Sequence, residues 1–140
     1  ARAAKSSDPC TTRPPTTDST LLSELHNKPS IYQELDEKTI YLKAGLDTSF
    51  QAAGIPYVIN QLGSMISVHF SEKPVRDFAS ASAANNSLFN RFFHAMLKRG
   101  IYLPPSAFES WFLNNALTYA DLDQTILAVS ESLLEIQQEA

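Results

Sequence analysis

The chain has 140 residues, the size of one domain, and its 44% hydrophobic content is enough for a packed core. Fifteen acids against eleven bases give a net charge of -4; without a basic patch, neither nucleic acid nor an anionic membrane is an expected partner. No apolar run reaches the roughly 18 residues of a membrane span, and the single cysteine, Cys10, excludes an internal disulfide and suits a reducing compartment.

Residues 1–20 contain no Leu, Ile, Val, Met, Phe, Tyr or Trp, but three prolines, five threonines and three serines. Such a stretch buries too little apolar surface to offset its ordering entropy. It reads as a disordered or foreign linker, with no apolar segment of a secretory signal, and the domain is expected over 21–140.

Leu21 to His26 is helical in pattern and ends at Asn27-Lys28-Pro29, because the residue before proline leaves the α region. Ser30 with Gln33 has capping-box spacing. Tyr32, Leu35, Thr39, Leu42, Leu46, Phe50 and Ala53 then recur at steps of three and four, one face of an amphipathic helix stopped by Gly54 and Pro56. Tyr57–Asn60 and Met65–Phe70 read as a hairpin turning at Gly63-Ser64, with Ile66, Val68 and Phe70 on one side and Ser67 and His69 on the other.

Residues 71–85 read as a long loop of the kind that is functional or mobile. Asn86 or Ser87 is the expected cap of a helix with Phe89, Phe92, Phe93, Met96 and Leu97 on its apolar stripe, closed by Gly100. Ile101–Leu103 and Trp111–Leu113 read as short strands on either side of Pro104-Pro105. Thr118 and Asp121 start a last helix whose core face is Leu122, Ile126, Val129, Leu133 and Ile136. The expected fold class is α+β, an α/β sandwich with a small, mostly antiparallel sheet covered by helices on one face.

Chemistry-bearing residues are few. The four glycines form no phosphate-cradling loop. His26, His69 and His94 are far apart in the sequence and read as structural, and Cys10 has no neighbour that would activate it. The segment Tyr102 to Phe112 differs, because two prolines stiffen it and four aromatics surround Glu109. Apolar rings would desolvate that carboxylate and raise its pKa, which makes Glu109 a candidate functional acid; a solvated loop acid is the plainer reading.

These residues also carry a likeness. Gly63-Ser64-Met65, Pro74-Val75-Arg76-Asp77-Phe78, the unbroken run from Phe92-Phe93-His94 to Ser106-Ala107-Phe108-Glu109, Tyr32-Gln33-Glu34-Leu35 and Ala120-Asp121-Leu122-Asp123-Gln124-Thr125 resemble, in order, the C-terminal domain of the glutamate-1-semialdehyde 2,1-aminomutases. The resemblance implies the small domain of a fold-type I pyridoxal-phosphate enzyme of the class III aminotransferase superfamily. Such an enzyme is a homodimer of the cytoplasm or plastid that makes 5-aminolevulinate for porphyrins. It implies Glu109, Ser106, Gly63, Ser64 and Met65 as substrate-pocket residues.

The family's Schiff-base lysine lies upstream of this domain, and none of Lys5, Lys28, Lys38, Lys43, Lys73 and Lys98 has its glycine-rich context. No catalytic and no cofactor-binding residue is therefore expected here. The large cofactor-binding domain is a missing partner, and the fragment should be inactive and bind pyridoxal phosphate poorly. Another class III aminotransferase, or a non-catalytic interaction module, would fit the same residues.

Overall fold

The computed structural model describes residues 17–138. In chain order the elements are α1 (Thr17–Asn27), α2 (Ser30–Ala53), β1 (Val58–Leu62), β2 (Met65–His69), α3 (Phe78–Ser82), α4 (Asn86–Lys98), β3 (Trp111–Phe112) and α5 (Tyr119–Gln138). The strands form one antiparallel sheet in the order β1-β2-β3. The α+β class expected from the sequence is the class observed.

Alternation along β2 sorts the two faces of the sheet. Ile66, Val68 and the following Phe70 are buried against Leu42, Leu46 and Phe50 of α2, Phe89, Phe92 and Met96 of α4, and Val129, Leu133 and Ile136 of α5. The rings of Phe50, Phe70 and Phe92 meet at centroid distances of 5.6 to 6.0 Å, at the edge-to-face or tilted angles that aromatic quadrupoles favour. Three helices thus cover one face of the sheet. Polar ties pin them together: the Ser49 and Ser130 hydroxyls lie 2.7 Å apart between α2 and α5, and Arg91 donates to the Ile136 carbonyl at 2.6 Å between α4 and α5. Arg99, at the end of α4, reaches Glu131 at 3.1 Å and Glu135 at 2.6 Å on α5.

Helix punctuation explains most of the boundaries. Gly54 closes α2 in the left-handed region, and Gly100 follows the C-cap of α4 with φ of 78°. Thr118 and Asp121 form the expected reciprocal box at the start of α5, with backbone-to-side-chain bonds of 2.7 and 3.3 Å. In the hairpin, Leu62 pairs with Met65 around a two-residue turn, and Gly63 takes φ of 55° while Ser64 does not go positive. That is the pattern of the II′ class, which matches strand twist and favours glycine at its first central position.

Five local expectations are corrected. Helix α1 begins at Thr17, so residues 17–20 are helical; residues 1–16 of the expected linker lie outside those described. Ser30 makes no cap, because Pro29 is already in the helical region and Ser30 is the first residue of α2. The 71–85 segment is not structureless: the Asp77 carboxylate accepts from the Ser80 backbone at 2.8 Å and the Ser80 hydroxyl caps in return, which starts α3. The cap of α4 is Asn85, one residue earlier than expected, with its side chain accepting from Leu88 N–H at 3.0 Å. Ile101–Leu103 is not a strand. Leu103 drops into the core, Tyr102 is exposed, and Pro104-Pro105 have no N–H to donate to a ladder.

Candidate substrate-facing surface

Strand β3 brings the two sequence-predicted clusters to one part of the molecule. Its Trp111 pairs with Ile66 and its Phe112 with Met65, and the next residue, Leu113, donates to the Ser64 carbonyl at 3.1 Å. The hairpin turn Gly63-Ser64-Met65 therefore lies against the end of β3, while the loop with Ser106 and Glu109 leads into its start. Ser106 shapes that loop, its hydroxyl accepting from Phe108 N–H at 3.2 Å and its carbonyl from Glu109 N–H at 3.1 Å. Phe108 and Glu109 border different clefts, with Ser110 on both. Glu109 borders a cleft of about 710 Å³ walled by Leu103, Pro104, Trp111, Leu117 and Leu122. Phe108 borders a second cleft of about 530 Å³, with Asn60, Ser67, His69, Asp77 and Ser110.

The expected desolvation of Glu109 does not occur in this chain. The carboxylate is exposed, and so are Tyr102, Phe108 and Phe112; Trp111 turns inward and is 6% exposed. Tyr102, Trp111 and Phe112 border the same cleft as Glu109 but do not bury it, because Tyr102 and Phe112 stay exposed and Trp111 packs inward. Asp121 also borders the first cleft, but it is committed to Thr118, whose hydroxyl and N–H hold its carboxyl below the usual range.

Histidine 69 was missed as a buried group. Alternation put it on the face away from the helices, which is correct, but that end of the face is covered. Val75 and Ala81 are buried there, and Asn60 donates to the Val75 carbonyl at 3.0 Å, stitching the covering segment to β1. His69 is 7% exposed, its Nδ1 has no hydrogen-bond partner, and burial lowers its pKa from the ordinary value. The only advance signal was the apolar Val75 and Phe78 within an otherwise polar loop. His26 and His94 are exposed. No cluster of His, Cys, Asp or Glu among the described residues could hold a metal ion, and no described helix is long and apolar enough to cross a membrane.

The architecture is that of a domain found in pyridoxal-phosphate transaminases. An omega-transaminase from Sphaerobacter thermophilus aligns at a TM-score of 0.70 and 19% identity, over 85% of this chain and 27% of its own. A β-phenylalanine aminotransferase from Variovorax paradoxus aligns at 0.64 and 26% identity, over 72% of this chain and 23% of its own. A transaminase with PLP bound aligns at 0.67 and 18% identity, over 86% of this chain and 27% of its own.

The sequence relationship is narrower. This chain is a relative, over the C-terminal portion, of the glutamate-1-semialdehyde 2,1-aminomutases. It is 48% identical over 111 residues to the enzyme of Flavobacterium johnsoniae, covering 79% of this chain and 26% of the relative. It is 43% identical over 116 residues to that of Heliobacterium modesticaldum, covering 83% and 27%. The chain thus spans about a quarter of the length of the curated relatives it matches. No family model matches it.

The described residues do not assemble a site that fits pyridoxal phosphate. Lys28 is paired with Glu24, Lys43 with Asp47 and Lys98 with Glu135, and Lys38 donates to the Asn115 carbonyl. Lys73 is exposed in the loop before α3, and Lys5 lies outside the described residues. None of the five described lysines borders either cleft, and the glycines with positive φ are spent on turns and helix ends.

Proposed function

We propose that this chain is the C-terminal domain of a glutamate-1-semialdehyde 2,1-aminomutase. The parent enzyme would convert glutamate-1-semialdehyde to 5-aminolevulinate for porphyrin synthesis, as a cytoplasmic homodimer. The observation that carries this reading is 48% identity over 111 residues to an aminomutase of which this chain spans only 26%. Pyridoxal phosphate, held by the rest of the parent, would supply the electron sink for moving an amino group between two carbons.

The work of this domain would be positioning. Glu109 presents an exposed carboxylate at the edge of a cleft, where it could accept from the ammonium group of a substrate. Ser106 fixes the loop that carries Glu109, through its bonds to Phe108 and Glu109. Gly63, Ser64 and Met65 form a second rim, held in register with β3. Closure by this domain would exclude water from the reacting groups.

On this reading the isolated chain neither turns over substrate nor forms a covalent link to the cofactor. Titration of pyridoxal phosphate into the purified chain, followed by visible absorbance and an assay for 5-aminolevulinate, tests it. The expected result is no borohydride-reducible band and no product. A stable band with turnover would mean that one of the six lysines does the work assigned here to the missing part.

A further inference from the structure

We propose that the cleft lined by His69, Arg76 and Phe108 is a binding site for a small aryl carboxylate. Its walls are all residues of this chain, it is distinct from the cleft that Glu109 borders, and it goes beyond the function proposed above.

At about 530 Å³ the cleft has the size of a small-molecule site. Its one buried polar lining residue is His69. Buried polar groups nearly always have a partner, yet His69 is 7% exposed and its Nδ1 has none, alone among the buried side-chain polar atoms of the described residues. Ser67 lies two residues from His69 and so on the same face of β2. Its hydroxyl and that of Ser110, both on the cleft, bond no described residue. Arg76 is exposed on the cleft, and its guanidinium pairs with no described residue. Asp77 is the single carboxylate there, and it is committed to Ser80, accepting from the hydroxyl at 2.6 Å and the backbone N–H at 2.8 Å.

The cleft is therefore rich in uncommitted donors, and the donors select a carboxylate. A guanidinium presents paired N–H groups in a fork that matches one carboxylate. The two hydroxyls can add to it, and so can the imidazole, which burial favours in the neutral form with one N–H. The charge of Asp77 opposes that of Arg76, so the cleft carries no net positive charge and suits a monoanion better than a phosphate dianion. The body of the ligand is set by the apolar lining. The rings of Phe78 and Phe108 lie 5.4 Å apart at 31°, with 76% and 50% of their surface exposed, and a third ring can extend that pair. Val75 and Ala81 supply buried apolar wall beside them.

Benzoate is the probe, benzamide its neutral counterpart, and inorganic phosphate an anion without a ring. Each is titrated into the ¹⁵N-labelled chain while NMR follows the backbone amides and the imidazole nitrogens of His69. Benzoate should shift Ser67, Ser110, residues 75–82 and the His69 ring saturably, and bind at least about tenfold more tightly than benzamide, because its bond to Arg76 is charge-assisted. Phosphate should leave these signals in place. In Arg76→Gln, a change at an exposed position, benzoate should fall to the affinity of benzamide while the rest of the spectrum is kept. The absence of a saturable shift at the cleft overturns the proposal. So does equal binding of benzoate and benzamide, or benzoate binding that Arg76→Gln leaves unchanged. Phosphate binding as tightly as benzoate at the same signals overturns the assigned ligand class.

Discussion

At the scale of single residues, Gly45 shows how a packing demand can override helix propensity. It lies within α2 where α5 crosses, and an added Cβ would sit 2.2 Å from Ile126 Cδ1 and 2.5 Å from Cγ1. Ala is the better helix former by about 1 kcal/mol, but forcing a methyl into a packed contact costs about 1–3 kcal/mol. Gly45→Ala is expected to destabilise the chain by about 1 kcal/mol in a denaturant titration, with a favourable coupling to Ile126→Val in a double-mutant cycle. A more stable Gly45→Ala would mean that α5 yields freely at this contact.

His69 gives a pH dependence with a definite sign. Burial lowers its pKa in the fold below the ordinary 6.5, so between the two values the unfolded chain binds more protons than the folded one. Stability therefore rises with pH through that window and falls as pH drops below about 6.5. The carboxylates of Asp77, Asp121 and Glu135 are shifted down from ordinary values near 4, so their contribution is lost only at lower pH. Thermal melts from about pH 7 to about pH 5.5 should show a declining Tm, and His69→Leu should flatten it. An unchanged slope in the variant would place the titrating group elsewhere.

At the scale of elements, α3 is five residues long and depends on its capping box. An isolated helix that short does not hold itself together, so Asp77→Ala should release the segment over His69. Hydrogen exchange is expected to quicken across residues 78–82 and at the His69 end of β2, with α4 and α5 unaffected. Protection unchanged in that variant would show that the buried Val75 and Ala81 suffice to hold the cover.

The legibility of each element in the sequence followed from how local its causes are. Helices α2, α4 and α5 and the hairpin were readable because periodicity, Gly54, Gly63, Gly100 and the Thr118–Asp121 box all act within a few residues. Ile101–Leu103 was misread because three apolar residues suit a strand or a buried coil equally, and only the lack of a ladder partner beside Pro104-Pro105 decides. The covered end of the sheet was not legible, since the contact between Asn60 and Val75 joins residues 15 apart through an intervening strand. The same limit applied to the candidate site. Ser106, Gly63, Ser64 and Met65 came from likeness alone, whereas Glu109 was flagged by its ring-rich loop; those rings border its cleft without burying it, because Tyr102 and Phe112 stay exposed and Trp111 packs inward.

At the scale of the whole molecule, one unequal distribution stands out. A helical layer closes one face of the sheet, and the opposite face is half covered and ends in exposed Leu62 and Phe112. A free-standing domain with that face has an incentive to associate, and a domain of a longer chain has its partner supplied. On the function proposed above the second situation holds, in keeping with this chain's 26% span of the aminomutase relative.

The most direct measurement is transplantation. Residues 30–138 of this chain replace the corresponding C-terminal quarter of the Flavobacterium johnsoniae aminomutase, and 5-aminolevulinate formation is assayed with Glu109 intact and in Glu109→Gln. The account expects an active hybrid, with activity reduced at least about tenfold by loss of the carboxylate and cofactor loading unchanged. A hybrid that folds and loads pyridoxal phosphate yet makes no product would contradict the assignment of this chain to the aminomutase.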